Sequence, residues 1–138
     1  MHPYIEKIAA VGAAANNTFV TLGITPVSWG EGRAVLKMTV SDRVLNGAGF
    51  LQGGFYVVLG DEAIALALHT CLEAGQGCTS VSESTSFMKG AAGGEIYAVA
   101  KILRQGRRVA FGEAEVREGG VEGKLLSKTS GTYLILES

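Results

Sequence analysis

The sequence predicts an α+β domain: one long apolar helix wrapped by a curved antiparallel sheet of about five to six strands, with a short helix at the N-terminus. Three observations lead there. From Gly53 to about Leu72 the chain is apolar on nearly every helical face, and Asp61 and Glu62 are its only charges, so this helix has to be covered by protein. On both sides of it the pattern switches to the two-residue alternation of strands. Glycine-containing breaks divide the later runs at the spacing of antiparallel hairpins.

From the N-terminus, residues 4–15 are expected to form a short Ala-rich helix with Ile5, Ile8, Ala9 and Gly12 on its inner side. Phe19 to Trp29 reads as a strand, because Val20, Leu22 and Ile24 alternate with Thr21, Gly23 and Thr25. Gly30-Glu31-Gly32 turns the chain back, and Arg33 to Val40 follows with Ala34, Leu36, Met38 and Val40 on one face. Residues 41–52 are a glycine-bearing loop leading into the long helix. Beyond the Gly75-Gln76-Gly77 turn come four strands, near 79–89, 95–104, 107–118 and 124–136, divided by Gly93-Gly94, Gln105-Gly106 and Gly119-Gly120. In the third of these, Ala110, Gly112, Ala114 and Val116 share a face, and side chains that small let the helix approach the sheet closely. One sheet cannot cover every side of such a helix, so its remaining apolar face predicts a second copy of the chain.

The 138 residues fit one domain, 1–138, of a size that supports a real core. Hydrophobic residues make up 47% and charged residues 18%, which excludes intrinsic disorder. A net charge of −1 offers no general attraction for nucleic acid or an anionic membrane. Each carboxylate at the centre of the apolar helix would cost ~2.5–3.5 kcal/mol in a bilayer, so that helix is not a membrane span. The N-terminus lacks a signal-peptide core, and Cys71 and Cys78 are too few for a disulfide framework or a four-ligand zinc site. A cytoplasmic protein with reduced thiols and no metal is expected.

Several groups have residue types suited to chemistry. Asp61 and Glu62 sit inside the apolar helix, with no Lys or Arg between Arg43 and Lys89. A carboxylate there is either tuned by desolvation toward general-base work, paired with a distant Arg, or on a face that opens to solvent. Asn46 to Gly54 (NGAGFLQGG) feeds a helix N-terminus whose free N–H groups suit an oxyanion or phosphate; the same glycines also suit turns and packing. Gly53 and Asp61 are about 12 Å apart along one helix, too far to act on one carbon, whereas two antiparallel copies bring Gly53 of one beside Asp61 of the other. Gly60 would permit that close approach. Ser80, Ser82, Ser84 and Ser86 line one strand face, as a polar groove or a solvated edge. Lys101, Arg104, Arg107 and Arg108 surround one hairpin and either hold phosphates or form a solvated turn. His2 and His69 lack the setting of a ligand or a catalytic base.

Asn46-Gly47, Gln52-Gly53-Gly54 and Asp61, followed by SVSESTSFMK at Ser80–Lys89, resemble the motifs of hotdog-fold acyl-CoA thioesterases of the phenylacetate-degradation (PaaI-like) type. The likeness covers roughly residues 18–136. It implies hydrolysis of a CoA thioester to a carboxylic acid and free CoA without a cofactor, by a homodimer or a dimer of dimers. By position, the Gly53 N–H would polarise the thioester carbonyl with Asn46 positioning it. Asp61 of the other subunit would activate water or attack directly to give a mixed anhydride, and Ser80 would hold the water. Gln52, Gly54, Arg104, Arg107 and Arg108 would contact substrate. The family's usual His is Gln52 here, which cannot become cationic. A non-catalytic module that binds or senses acyl-CoA or an acyl carrier is the alternative on the same fold. Phe50, Tyr56, Phe87 and Tyr97 suit an aromatic or a medium-chain acyl pocket, or simply the core.

Overall fold

The computed structural model of the chain describes residues 1–137. Helices α1 (Pro3–Val11) and α2 (Asn17–Leu22) precede a hairpin of β1 (Ile24–Gly30) and β2 (Arg33–Thr39). The long helix α3 (Gly53–His69) follows, then β3 (Gln76–Phe87), β4 (Glu95–Gln105), β5 (Val109–Glu118) and β6 (Leu125–Glu137). The six strands form one curved sheet in the order β1-β2-β4-β5-β6-β3, antiparallel throughout, with α3 packed against β2, β4 and β5. This is the hotdog arrangement. No helix among the described residues is long and apolar enough to cross a membrane.

The packing follows from the small residues of β5. Ala110, Gly112, Ala114 and Val116 all face inward and are buried. A Cβ placed on Gly112 would meet Ile64 Cγ2 at 2.6 Å, so no larger residue fits while α3 stays where it is. Leu59, Ile64, Leu66 and Leu68 of α3 lock against Leu36, Met38, Ile96 and Leu126 of the sheet, all fully buried. The β1–β2 turn has positive φ at both Glu31 (53°) and Gly32 (75°), the requirement of a two-residue type I′ hairpin.

Five expectations are corrected. The stretch from Phe19 is not a strand until Ile24: Asn16 caps α2 by accepting from Thr18 N–H, Gly23 ends it in the left-handed region (φ 73°), and Val20 is left 61% exposed. Cap chemistry at both ends outweighed a short apparent alternation. Helix α1 ends at Val11, and only Ile5 and Ile8 are buried on it; Ala9 is exposed and Gly12 (φ 60°) caps. Gly93-Gly94 does not close a hairpin, because β3 pairs with β6 at the far side of the sheet and the chain crosses over to reach β4. The four serines of β3 do not share a face. A bulge at Val81 shifts the register between Ser80 and Ser82, so Ser80 pairs with buried Tyr133 while Ser82, Ser84 and Ser86 sit opposite outward-facing Thr132, Ser130 and Lys128. Gly60 makes room for the chain's own sheet, since a Cβ there would lie 3.0 Å from Thr129 Oγ1.

Candidate active site

Asp61 lies two turns into α3, half-buried, and β3 and β6 supply its partners. Ser80 Oγ–H donates to Asp61 Oδ1 at 2.9 Å, and the phenol of Tyr133 donates to the same oxygen at 2.6 Å. Both donors converge on Oδ1, which leaves lone pairs on Oδ2 for a water. Ser80 faces the helix in phase with Cys78, and the bulge at Val81 rephases the residues that follow it. Tyr133 reaches Asp61 because its ring lies over Gly131, where a Cβ would stand 2.8 Å from the ring. Burial, then the hydrogen bond to Asp61, holds the Tyr133 phenol well above its usual range, so it remains a donor.

A second carboxyl reaches this cluster. Glu83 follows Ser80 on the inward side of β3, opposite Gly131, and its Oε2 is enclosed without a hydrogen-bond donor. Burial, followed by the nearby charge of Asp61, pushes Glu83 up to about 7. No Lys or Arg among the described residues forms an ion pair with Asp61, Glu62 or Glu83, so the distant-Arg arrangement is absent. Glu62 turns the other way: its Oε1 accepts from Asn16 Nδ2 at 3.0 Å, which also donates to Tyr4 Oη, tying α3 to the N-terminal helices. Burial raises Glu62 from the ordinary carboxylate range. Cys78, also inward on β3, is pushed up to about 11 by burial and by the two neighbouring acids, and is an inert thiol at neutral pH. Burial lowers His69, whose Nδ1–H donates to the Ala65 carbonyl at 2.7 Å.

At the head of α3, Gln52 is the cap. Its side-chain Oε1 accepts from Gly54 N–H at 2.7 Å, and a Cβ on Gly54 would collide with that oxygen. The Gly53 N–H has no intramolecular acceptor among the described residues. It is therefore the available donor at the positive end of the helix dipole, with the Phe87 ring 3.5 Å from where its Cβ would be. Asn46 Oδ1 accepts from Ala48 and Phe50 N–H (2.9 and 3.1 Å), so its carbonyl shapes the loop. Tyr56 is buried edge-on to Phe87, with ring centroids 5.8 Å apart, whereas Phe50 and Phe87 are largely exposed and Tyr97 is half-buried.

The protomer brings Asp61 and Ser80 together and keeps Gly53 and the arginines apart from them. Lys101 pairs with Glu113, while Arg104, Arg107 and Arg108 are exposed around the β4–β5 turn. Arg107 and Arg108 flank an open groove of about 560 Å³ with Leu134 and Leu136. That turn lies past the C-terminal end of α3, where Ile102 N–H donates to Gly32 O and Gly32 N–H to Thr70 Oγ1. It is thus roughly 25 Å of helix away from Gly53. Sequence reading missed Tyr133 and Glu83. Tyr133 does stand in the inward alternation of β6 beside a glycine, which was a signal; Glu83 had none, because only the bulge puts it on the same face as Ser80. No group of three or more His, Cys, Asp or Glu among the described residues is placed to hold a metal ion.

A hotdog sheet around a helix that carries a hydrogen-bonded carboxylate defines a class, and residues 48–123 match the Thioesterase superfamily; the chain belongs to it. Among particular relatives, it is 33% identical to acyl-coenzyme A thioesterase 13 of Homo sapiens over 124 residues, 89% of this chain and 87% of that protein. It is 34% identical to acyl-coenzyme A thioesterase PaaI of Escherichia coli over 98 residues, 69% of this chain and 66% of that protein. A mutant of the phenylacetic acid degradation protein PaaI from Thermus thermophilus superposes with a TM-score of 0.78 at 28% identity, over 86% of this chain and 98% of that one.

Proposed function

We propose that the protein is an acyl-CoA thioesterase acting as a homodimer, with Asp61 as its base. The observation that carries this reading is the Asp61 carboxylate, held on one oxygen by Ser80 and Tyr133 in the open stripe of α3. That stripe, Gly54, Val58, Asp61 and Ala65, is the arc of the helix that the sheet leaves partly exposed. A second copy laid antiparallel along it covers the apolar residues and brings Gly53 of the partner subunit toward Asp61. The outward apolar residues Val109, Phe111, Leu134 and Leu136 support further pairing of dimers.

In this site Asp61 takes a proton from water, whose oxygen attacks the thioester carbonyl carbon. The oxyanion that forms accepts from the Gly53 N–H of the partner subunit. Its collapse breaks the C–S bond, leaving the acid, and the CoA thiolate takes up the proton that Asp61 removed from water, which restores the carboxylate. Ser80 then orients the carboxylate directly. Direct attack by Asp61 to give a mixed anhydride uses the same geometry. Gln52 serves as a neutral cap, which a side chain without charge does fully. Antiparallel pairing also carries the partner's arginine hairpin toward the Gly53 end, where CoA phosphates suit it.

The test is thiol release from phenylacetyl-, benzoyl-, short-chain and medium-chain CoA thioesters by wild type and Asp61→Asn. Turnover that falls roughly 10²–10⁴-fold in the variant, with acyl-CoA binding retained, is the expected result. Binding without turnover by the wild type would point instead to a non-catalytic acyl-CoA sensor. Turnover unchanged in Asp61→Asn would remove Asp61 from the mechanism.

A further inference from the structure

We propose that Glu83 is a positioning residue for this reaction: it shares a proton with Asp61, and losing that proton makes Asp61 the stronger base. The placement comes from register and packing. Glu83 stands directly opposite Gly131, and the Tyr133 hydroxyl lies 3.3 Å from where a Gly131 Cβ would be. Cross-strand neighbours are ~5 Å apart at Cβ, so the Glu83 side chain reaches the same hydroxyl that binds Asp61 at 2.6 Å. Two carboxyl groups thus meet at one phenol.

The groups facing Glu83 are all acidic or neutral. Asp61 approaches from α3, Tyr133 from β6, and Ser80 and Cys78 precede it on β3; Glu62 points away to Asn16. No Lys or Arg among the described residues forms an ion pair there. With Oε2 enclosed and offered no donor, a carboxylate at Glu83 is unsatisfied, whereas the neutral acid can donate to Asp61. While Glu83 carries the proton, Asp61 accepts from three donors and is a damped base. When Glu83 ionises, Asp61 loses one donor and gains a negative neighbour, and both changes favour proton uptake from water. Glu83, with its Oε2 enclosed, thus acts through Asp61 rather than on the thioester itself.

Two measurements on the full-length protein test this. Carboxyl ¹³C NMR, with Glu83 assigned through its backbone, should show it titrating near 7 in the wild type. In Asp61→Asn it should titrate about one pH unit lower or more. A Glu83 that titrates in the ordinary carboxylate range, or whose titration ignores Asp61→Asn, overturns the shared proton. The second measurement rests on the thioesterase reading: kcat/KM for thiol release should rise roughly 3–10-fold through pH 7 in the wild type. Glu83→Gln, whose amide donates to Asp61 as the protonated acid does, should fold normally and lose that step. A step that persists in Glu83→Gln overturns the base-tuning role. Absence of turnover on every thioester, with the NMR behaviour intact, leaves the carboxyl pair standing and removes both its catalytic role and the thioesterase reading.

Discussion

Tyr133 shows how one side chain can serve the core and the site together. Its ring is buried over Gly131 while its hydroxyl holds Asp61, and neither role needs the other's atoms. Tyr133→Phe should therefore keep its fold and Tm within a few degrees. Tyr133 and Ser80 together fix where the Asp61 carboxylate points, and losing that positioning outweighs the loss of a damping donor, so kcat should fall roughly 10–100-fold. Loss of Tm without loss of kcat would mean that the phenol is structural only. Gly131→Ala is the converse change. It displaces the ring without removing the hydroxyl and should lower both.

At the scale of elements, two contacts decide how the helix and the edge strand sit. Gly112→Ala sets a methyl against Ile64 Cγ2 and should destabilise by about 1–3 kcal/mol in urea unfolding. Ile64→Ala alone should cost about 2–5 kcal/mol, and the double variant should lose less than the sum of the two, since the sites share one clash. Strand β3 carries a pH-dependent cost of its own. Glu83 is raised in the folded state, so the fold binds its proton more tightly than the unfolded chain does. Its favourable contribution is complete below the ordinary Glu range near 4.5 and is lost as pH rises toward about 7. Glu62 is shifted the same way. Thermal unfolding should thus give a lower Tm at pH 8 than at pH 5, and Glu83→Gln should narrow that gap by the few degrees that correspond to on the order of 1 kcal/mol after solvent screening. A gap of unchanged size would show that other groups set it.

For the whole molecule, the open arc of α3 is both the apolar face that a partner would cover and the face that carries Asp61. Val58→Glu puts a charge at the centre of that arc without touching the enclosed core. Sedimentation should then report a monomer, circular dichroism an intact fold, and thiol release a loss of at least about 100-fold, because the site lacks the partner's Gly53. A monomer that retained full turnover would mean that one protomer holds a complete site.

The long helix, the hairpins on either side of β5 and the small residues that admit α3 could all be read from Gly53–Leu72, Ala110, Gly112 and Ala114 alone. Apolar periodicity and glycine spacing are local, and packing simply honours them. Asp61 stood out for the same reason, as a charge inside an apolar helix, and Gly53 as the glycine that opens that helix from a loop. What escaped was non-local. A single bulged residue, Val81, rephased β3, separating Ser80 from Ser82, Ser84 and Ser86 and joining it to Glu83. Strand order carried β3 to the far edge beside β6, where Tyr133 could meet Asp61 across 72 positions of chain. Bulges and strand order depend on which strands pair, and pairing energy is collected only in the assembled sheet; the composition of the site is therefore a property of the fold rather than of any segment within it.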